Sequence, residues 1–247
     1  TPVYATINFP GESEGTLKIA TFNILHVGDS NFEKQWRTRM QTSIGVLKDN
    51  GIAVAGLQEV RPDQHDLLTG QTYVTDTYDV FPKTSKRPGF TPNPIIWNKS
   101  MFKLVSGKTL PIEYDNGNKI DHAVLVKLED TGGNQFYVLN THDPANARPG
   151  SDEQNALSRF NNAKSYVQKF NELKSEGVPM FLTGDFNVGY TMGGNQKPHQ
   201  NKAENLTNCV ISNGGVMTNV WDIFENEPFK CPRNKTPGDA PIDHIYG

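Results

Sequence analysis

The sequence predicts a single α/β domain. β-rich apolar segments recur along the whole chain, strongly amphipathic helices fall between them, and no repeat, low-complexity tract or interdomain linker interrupts the run. Helices set between strands must bury their apolar stripes, so they are expected to cover the faces of sheets.

"GTLKIATFNILHVG" reads as a strand ending near Asn23. "SNFEKQWRTRMQTSIGVLKDNG" is helical: Ser30 and Glu33 form a capping box, Phe32, Trp36, Met40, Ile44 and Leu47 make one apolar stripe, and Gly51 supplies the stop. "IAVAGLQEV" is a short apolar strand ending in Gln58 and Glu59. Residues 62–93 read as a short helix, a strand near "YDVF" and a loop, "KTSKRPGFTPN". "PIIWNKSMFKLVSG", "HAVLVKLED" and "NQFYVLNTH" follow as successive strands. The clearest helix is "SDEQNALSRFNNAKSYVQKFNELKSEG". Ser151 and Gln154 cap it, Ala156, Phe160, Ala163, Val167 and Phe170 form its core face, and Gly177 ends it. The strand "VPMFLTGDFN", a polar stretch over 189–204, a weak helix and the strand "PIDHIYG" complete the chain.

A length of 247 residues suits one large domain. The net charge of −3 gives no global attraction to nucleic acid or acidic lipid, though it does not exclude a nucleic-acid enzyme, in which a local basic rim can do the binding. With a mean hydropathy of −0.58 and no long apolar run, no membrane span is expected. Thr1 in place of an initiator methionine points to a processed or excised chain. Cys209 and Cys231 are the only cysteines, and both a disulfide and two buried thiols remain open. An extracellular or periplasmic location is expected.

Several strands finish alike. "TFN" ends in Asn23, "LQE" in Glu59, "NTH" in His142 and "GDFN" in Asp185 and Asn187, while "IDH" places Asp243 on the last strand. Each has an ordinary reading when taken alone: Asn23 satisfying a strand end, Glu59 pairing with Arg61, His142 packing, Asp185 in a turn. The repetition of one pattern points instead to a site, because sheets aim strand-end side chains from distant positions at one place. Carboxylates, amides and a histidine gathered so suit a hard divalent cation and a phosphate. No zinc-spaced Cys/His cluster, phosphate-binding P-loop or G-x-S-x-G elbow is present.

In their order and spacing, "TFNIL", "GLQEV", "NTH", "LTGDFN" and "PIDHIY" resemble the endonuclease/exonuclease/phosphatase superfamily, the deoxyribonuclease I-like proteins, over about residues 17–247. The resemblance implies a four-layer α/β sandwich, two packed mixed sheets flanked by helices, with the site at one edge. It implies Glu59 as the principal Mg²⁺ carboxylate (Mn²⁺ or Ca²⁺ being alternatives), with Asn23 beside it in the metal and phosphate shell. Asp185 is implied as the aspartate that aligns or deprotonates the attacking water, and Asn187 as the amide that orients water and phosphate. His142 would contact the scissile phosphate, Arg61 would reach nucleic acid, and Asp243 would hold a later catalytic histidine in its tautomer. Strand alternation is expected to turn Asp185 and Asn187 to one phosphate and Phe186 back into the core.

One departure stands out. Family members carry a further strand with a Ser-Asp-His motif after "IDHIY", and this chain holds no such motif. The domain, residues 1–247, is therefore expected to lack its final C-terminal strand, either by truncation or by natural loss. The expected function is a secreted, Mg²⁺-dependent phosphodiesterase, a nuclease acting on DNA or RNA, monomeric and without a stable protein partner. Lys83, Lys86 and Arg87 in one loop, and Lys197, His199 and Lys202 in another, would steer the phosphate backbone. Alternatives are a phosphatase or phospholipase-like activity on inositol phosphates or lipid headgroups, and a binding module of the same fold without catalysis.

Overall fold

The computed structural model describes residues 2–8, 16–27, 35–86, 90–114, 119–145, 152–187 and 243–246. In chain order the elements are β1 (Val3–Asn8), β2 (Thr16–Asn23), α1 (Trp36–Asp49), β3 (Val54–Gln58), α2 (Pro62–Gly70), α3 (Thr72–Thr75), β4 (Tyr78–Phe81) and β5 (Ile95–Asn98). There follow β6 (Phe102–Tyr114), β7 (Lys119–Asp130), β8 (Gln135–His142), α4 (Asp152–Leu173) with a 3₁₀ turn at Lys174–Glu176, β9 (Met180–Asp185) and β10 (Asp243–Tyr246).

Two five-stranded sheets result, one ordered β1-β2-β3-β5-β4 and the other β10-β9-β8-β7-β6. Each is mixed, with one parallel pair: β2 beside β3 in the first and β8 beside β9 in the second. A helix connects each pair, α1 in the first case and α4 in the second, as a parallel connection requires.

Alternation along the strands sorts the apolar residues into three layers. Leu17, Ile19, Val54, Trp97, Val126, Phe136, Val138 and Phe181 meet between the sheets. Ala20, Ala55, Leu57 and Ile96 face away from them and pack with Met40, Ile44 and Leu47 of α1 and Leu68 of α2. On the far side Leu125, Tyr137, Leu139 and Leu182 pack with Ala163, Tyr166 and Phe170 of α4. Helix, sheet, sheet, helix is the four-layer α/β sandwich expected from the sequence. Among the described residues no helix is long and apolar enough to cross a membrane.

Three expectations change in detail. The segment read as one strand over "PIIWNKSMFKLVSG" is β5 and β6, and the two lie in different sheets. The break is at Asn98, whose side-chain oxygen accepts from the Ser100 N–H and Oγ and so closes a tight turn. Next, α4 buries only part of the ridge its apolar periodicity suggests. Ala163 and Phe170 are in the core, but the rest of the buried face is Asn155, Ser158, Arg159, Asn162 and Tyr166. Finally, β3 ends at Gln58, and Glu59 stands just beyond it at φ 62. The stops at Gly51 (φ 65) and Gly177 (φ 70) hold, both glycines taking the left-handed conformation that ends a helix. The cap at Ser30–Glu33, Ser151 with the side chain of Gln154, both cysteines, and the loop with Lys197, His199 and Lys202 lie outside the described residues.

Candidate active site

The gap between the sheets changes character along the strands. It is apolar through Ile19, Val54, Val138 and Phe181, and then turns polar at Thr21, Gln58, Asn140 and Thr183, all fully buried. Gln58 Nε2 donates to Thr21 Oγ1 (3.0 Å) and to Asn140 Oδ1 (2.7 Å), and Thr183 Oγ1 donates to the same oxygen (3.0 Å). Asn140 Nδ2 donates to the Leu57 carbonyl at 2.8 Å, which locks one sheet to the other. Gly56 makes room for this cluster: a Cβ there would lie 2.2 Å from Asn140 Oδ1 and 2.3 Å from Thr183 Oγ1.

Two residues further along three of these strands come Asn23, His142 and Asp185. The period of two keeps each on the side of its polar predecessor. Gln58 is followed directly by Glu59. The site is thus the layer above the polar one, at the carboxyl ends of both parallel pairs, where layered α/β folds place ligands. A cavity of about 420 Å³ opens there, lined by Asn23, His26, Glu59, Arg61, Pro92, Asp121, His142, Ala145, Asp185 and Asn187.

Asn23 lies between two carboxylates. Its Nδ2 donates to Glu59 Oε1 (2.8 Å) and to Asp185 Oδ2 (3.0 Å), and its Oδ1 accepts from the Leu25 N–H (3.0 Å). The amide therefore joins a carboxylate of one sheet to a carboxylate of the other. His142 Nε2 stands 3.7 Å from Asp185 Oδ2, and the residues are direct partners in the β8–β9 register. Burial alone would raise the Glu59 carboxyl, but hydrogen bonds from Asn23 and His26 and the charge of His142 outweigh it and hold the group below its usual value. Glu59 is thus an anion on the wall of an open cavity. Among the described residues no three His, Cys, Asp or Glu side chains form a metal cage. One carboxylate with room for water suits an ion of the Mg²⁺ kind, which keeps several waters of its own.

Asp185 and Asn187 do share the site, but not by strand alternation. The strand stops at Asp185, and Asn187 takes a left-handed conformation (φ 50) with its N–H donating to Asp185 Oδ1 at 3.0 Å. Asn187 Nδ2 then donates to the Asp143 carbonyl at 2.7 Å. A side-chain-to-backbone turn, of the kind Asp and Asn readily form, brings the two together. Phe186 is 0 % exposed, in the core as expected. The β9–β10 register sets Asp243 directly opposite Asp185.

The sequence reading passed over two groups. His26 Nδ1 lies 2.5 Å from Glu59 Oε2, and the His26 N–H donates to the same oxygen at 3.2 Å. Leu25 before it has φ 57, and Arg39 of α1 spans the turn, with Nε donating to the Ile24 carbonyl and Nη2 to those of Leu25 and His26. The only signal in the sequence is a histidine just past a strand-end asparagine. The second group is the polar ridge of α4. Asn155 donates to the Ala145 carbonyl, Arg159 to that of Pro144, and both Asn162 and Tyr166 to Asp143 Oδ1. These residues recur at helical spacing and hold the segment just after His142. Asp143 is fully buried, which pushes its carboxyl up to about 7 against the opposing effect of Tyr166, Asn162 and the Arg159 charge.

No protein-family model matches this chain, and no curated protein matches it in sequence. Solved structures do match in shape. An endonuclease/exonuclease/phosphatase family protein from Bacteroides thetaiotaomicron superposes with a TM-score of 0.64 at 16% identity, covering 100% of this chain and 83% of that one. A mannosyl-6-phosphatase of the same organism gives 0.61 at 16% identity, covering 93% and 84%. The TDP2 of D. rerio, in complex with a single-strand DNA product, gives 0.62 at 14% identity, covering 93% and 82%.

Proposed function

We propose that this chain, which has the endonuclease/exonuclease/phosphatase fold, hydrolyses phosphoric esters with the help of a divalent cation and acts on the phosphodiesters of nucleic acid. The observation that supports this reading most is the meeting of Asn23, Glu59, His142, Asp185 and Asn187 around one cavity with Arg61 on its wall. In-line attack of water on a phosphodiester needs a positioned base, positive charge near the phosphoryl oxygens and donors for the developing anion.

Glu59 would hold the cation with Asn23 beside it. Bound there, a cation of the Mg²⁺ kind offsets the charge on the phosphoryl oxygens. Asp185, held at one oxygen by Asn23 and at the other by the Asn187 N–H, orients the attacking water and takes its proton. His142, next to Asp185, donates to a phosphoryl oxygen. Arg61 pairs with a neighbouring phosphate, which a nucleic-acid backbone offers and a small monoester does not. The DNA product on the D. rerio TDP2 is compatible with such a substrate.

A second reading, a phosphomonoester of a hydroxyl-rich compound, is favoured by Asp121 on the same wall. A carboxylate there repels further phosphates and accepts from hydroxyls. Initial rates on supercoiled plasmid, an oligoribonucleotide, p-nitrophenyl phosphate and hexose 6-phosphates, each with Mg²⁺ and with EDTA, separate the two. Cation-dependent nicking faster than monoester release is the expected result. Faster monoester turnover would establish the second reading in its place.

A further inference from the structure

A histidine that only packs at a strand end needs no special backbone, yet His26 is delivered by a strained one. Leu25 takes the left-handed conformation (φ 57), which a side chain of its kind rarely adopts. Arg39 stabilises it by placing its guanidinium across three successive carbonyls, and Gln64 Nε2 adds a fourth hydrogen bond, to the Leu25 carbonyl at 2.9 Å. The result aims the imidazole at one oxygen of Glu59, while Asn23 holds the other. Both His26 and Glu59 line the cavity.

We propose that His26 is a ligand, through Nδ1, of the divalent cation held by Glu59, and that this nitrogen–oxygen pair makes the site prefer Mn²⁺ to Mg²⁺. This rests on the reading of Glu59 as the metal carboxylate. The separation of 2.5 Å between His26 Nδ1 and Glu59 Oε2 brings nitrogen and oxygen together where an ion would bind. Neighbouring ligands of one octahedral ion stand about 3 Å apart, so a small withdrawal of the ring admits an ion touching both. A neutral imidazole adds a donor without adding negative charge. Mg²⁺ favours all-oxygen shells and parts reluctantly with its waters, whereas Mn²⁺, although the weakest binder of the first-row transition ions, is less strict in geometry and gives up a water for a nitrogen donor more easily than Mg²⁺ does.

The test uses the whole chain, loaded with Mn²⁺ and compared with His26→Asn and Glu59→Gln. Asparagine keeps a hydrogen-bond donor near Glu59 Oε2 but offers no ring nitrogen, so a merely positioning role survives it and ligation does not. Electron spin-echo modulation from a directly bound ¹⁴N is expected in the wild-type protein and is expected to vanish in His26→Asn. By calorimetry, Mn²⁺ affinity is expected to fall at least about 10-fold, the lower end for losing even an outer partner of a metal ligand. The Mg²⁺ affinity should change less. Mn²⁺ bound with no nitrogen modulation, or with modulation that persists in His26→Asn, would overturn the proposal and leave the role of Glu59 standing. Mn²⁺ that fails to bind, or binds equally to Glu59→Gln, would overturn both.

Discussion

Asp143 reports through pH on the packing behind the site. Its carboxyl is pushed by burial from an ordinary 3.8 up to about 7, although Tyr166, Asn162 and Arg159 oppose the rise and only Asp185 among the named charges adds to it. A carboxyl raised in the folded state binds its proton more tightly there than in the unfolded chain. Its stabilising contribution is therefore complete below the unfolded value and declines as pH rises through the folded one. Asp143→Asn removes that dependence while keeping an oxygen to accept from Tyr166 and Asn162. Melting curves of both proteins should show the wild type losing ground to the variant between pH 3.8 and about 7, by up to about 1.4 kcal/mol per pH unit. Parallel profiles would mean that the carboxyl is charged throughout, held so by Arg159. Nothing in the sequence singles out Asp143, because a residue after "NTH" carries no pattern of its own.

At the scale of elements, the polar layer between the sheets sets the register on which the site depends. Thr21, Asn140 and Thr183 each stand two residues before a site residue, and Gln58 stands one before Glu59. Gly56→Ala tests this layer, since the added carbon would collide with both Asn140 and Thr183 in a gap without slack. A loss of about 3 kcal/mol is expected in urea unfolding, together with reduced metal affinity as Glu59 shifts. A loss under about 0.5 kcal/mol, the range of an ordinary surface change, would show that the layer yields easily. Such layers escape sequence reading because Asn140 and Thr183 look like ordinary members of apolar strands. Helix α4 illustrates the same limit. Residues 155, 159, 162 and 166 form a ridge beside the expected one and share the buried face with Ala163, while Phe160 and Val167 are only partly covered, and apolar periodicity cannot tell to which side a buried face extends. The buried ridge is polar because it satisfies the backbone carbonyls of the segment after His142.

Over the whole molecule, the first sheet supplies Asn23, His26 and Glu59 and the second His142, Asp185 and Asn187, so neither sheet holds a site alone. The α/β class was legible because strand and helix periods are recorded directly in the sequence, and the strand-end residues because one pattern recurs, while the four-layer sandwich was legible only through the family resemblance. The partition into two sheets was not legible from the residues alone: the turn at Asn98 that sends β6 to the other sheet resembles any other turn. His26 and the true placing of Asn187 depend on left-handed turns at Leu25, a residue type that rarely takes one, and at Asn187 itself, which takes one more readily but stands in a segment that reads as continuing strand. The most direct measurement is phosphodiester turnover by the purified chain with Mg²⁺ or Mn²⁺, with Glu59→Gln and Asp185→Asn beside it and their melting temperatures recorded. Turnover that needs the cation and falls about 10²–10⁴-fold in both variants, with melting changed by only a few degrees, is the expected result. Turnover that persists in both folded variants would mean that this meeting of strand ends is not where the chemistry occurs.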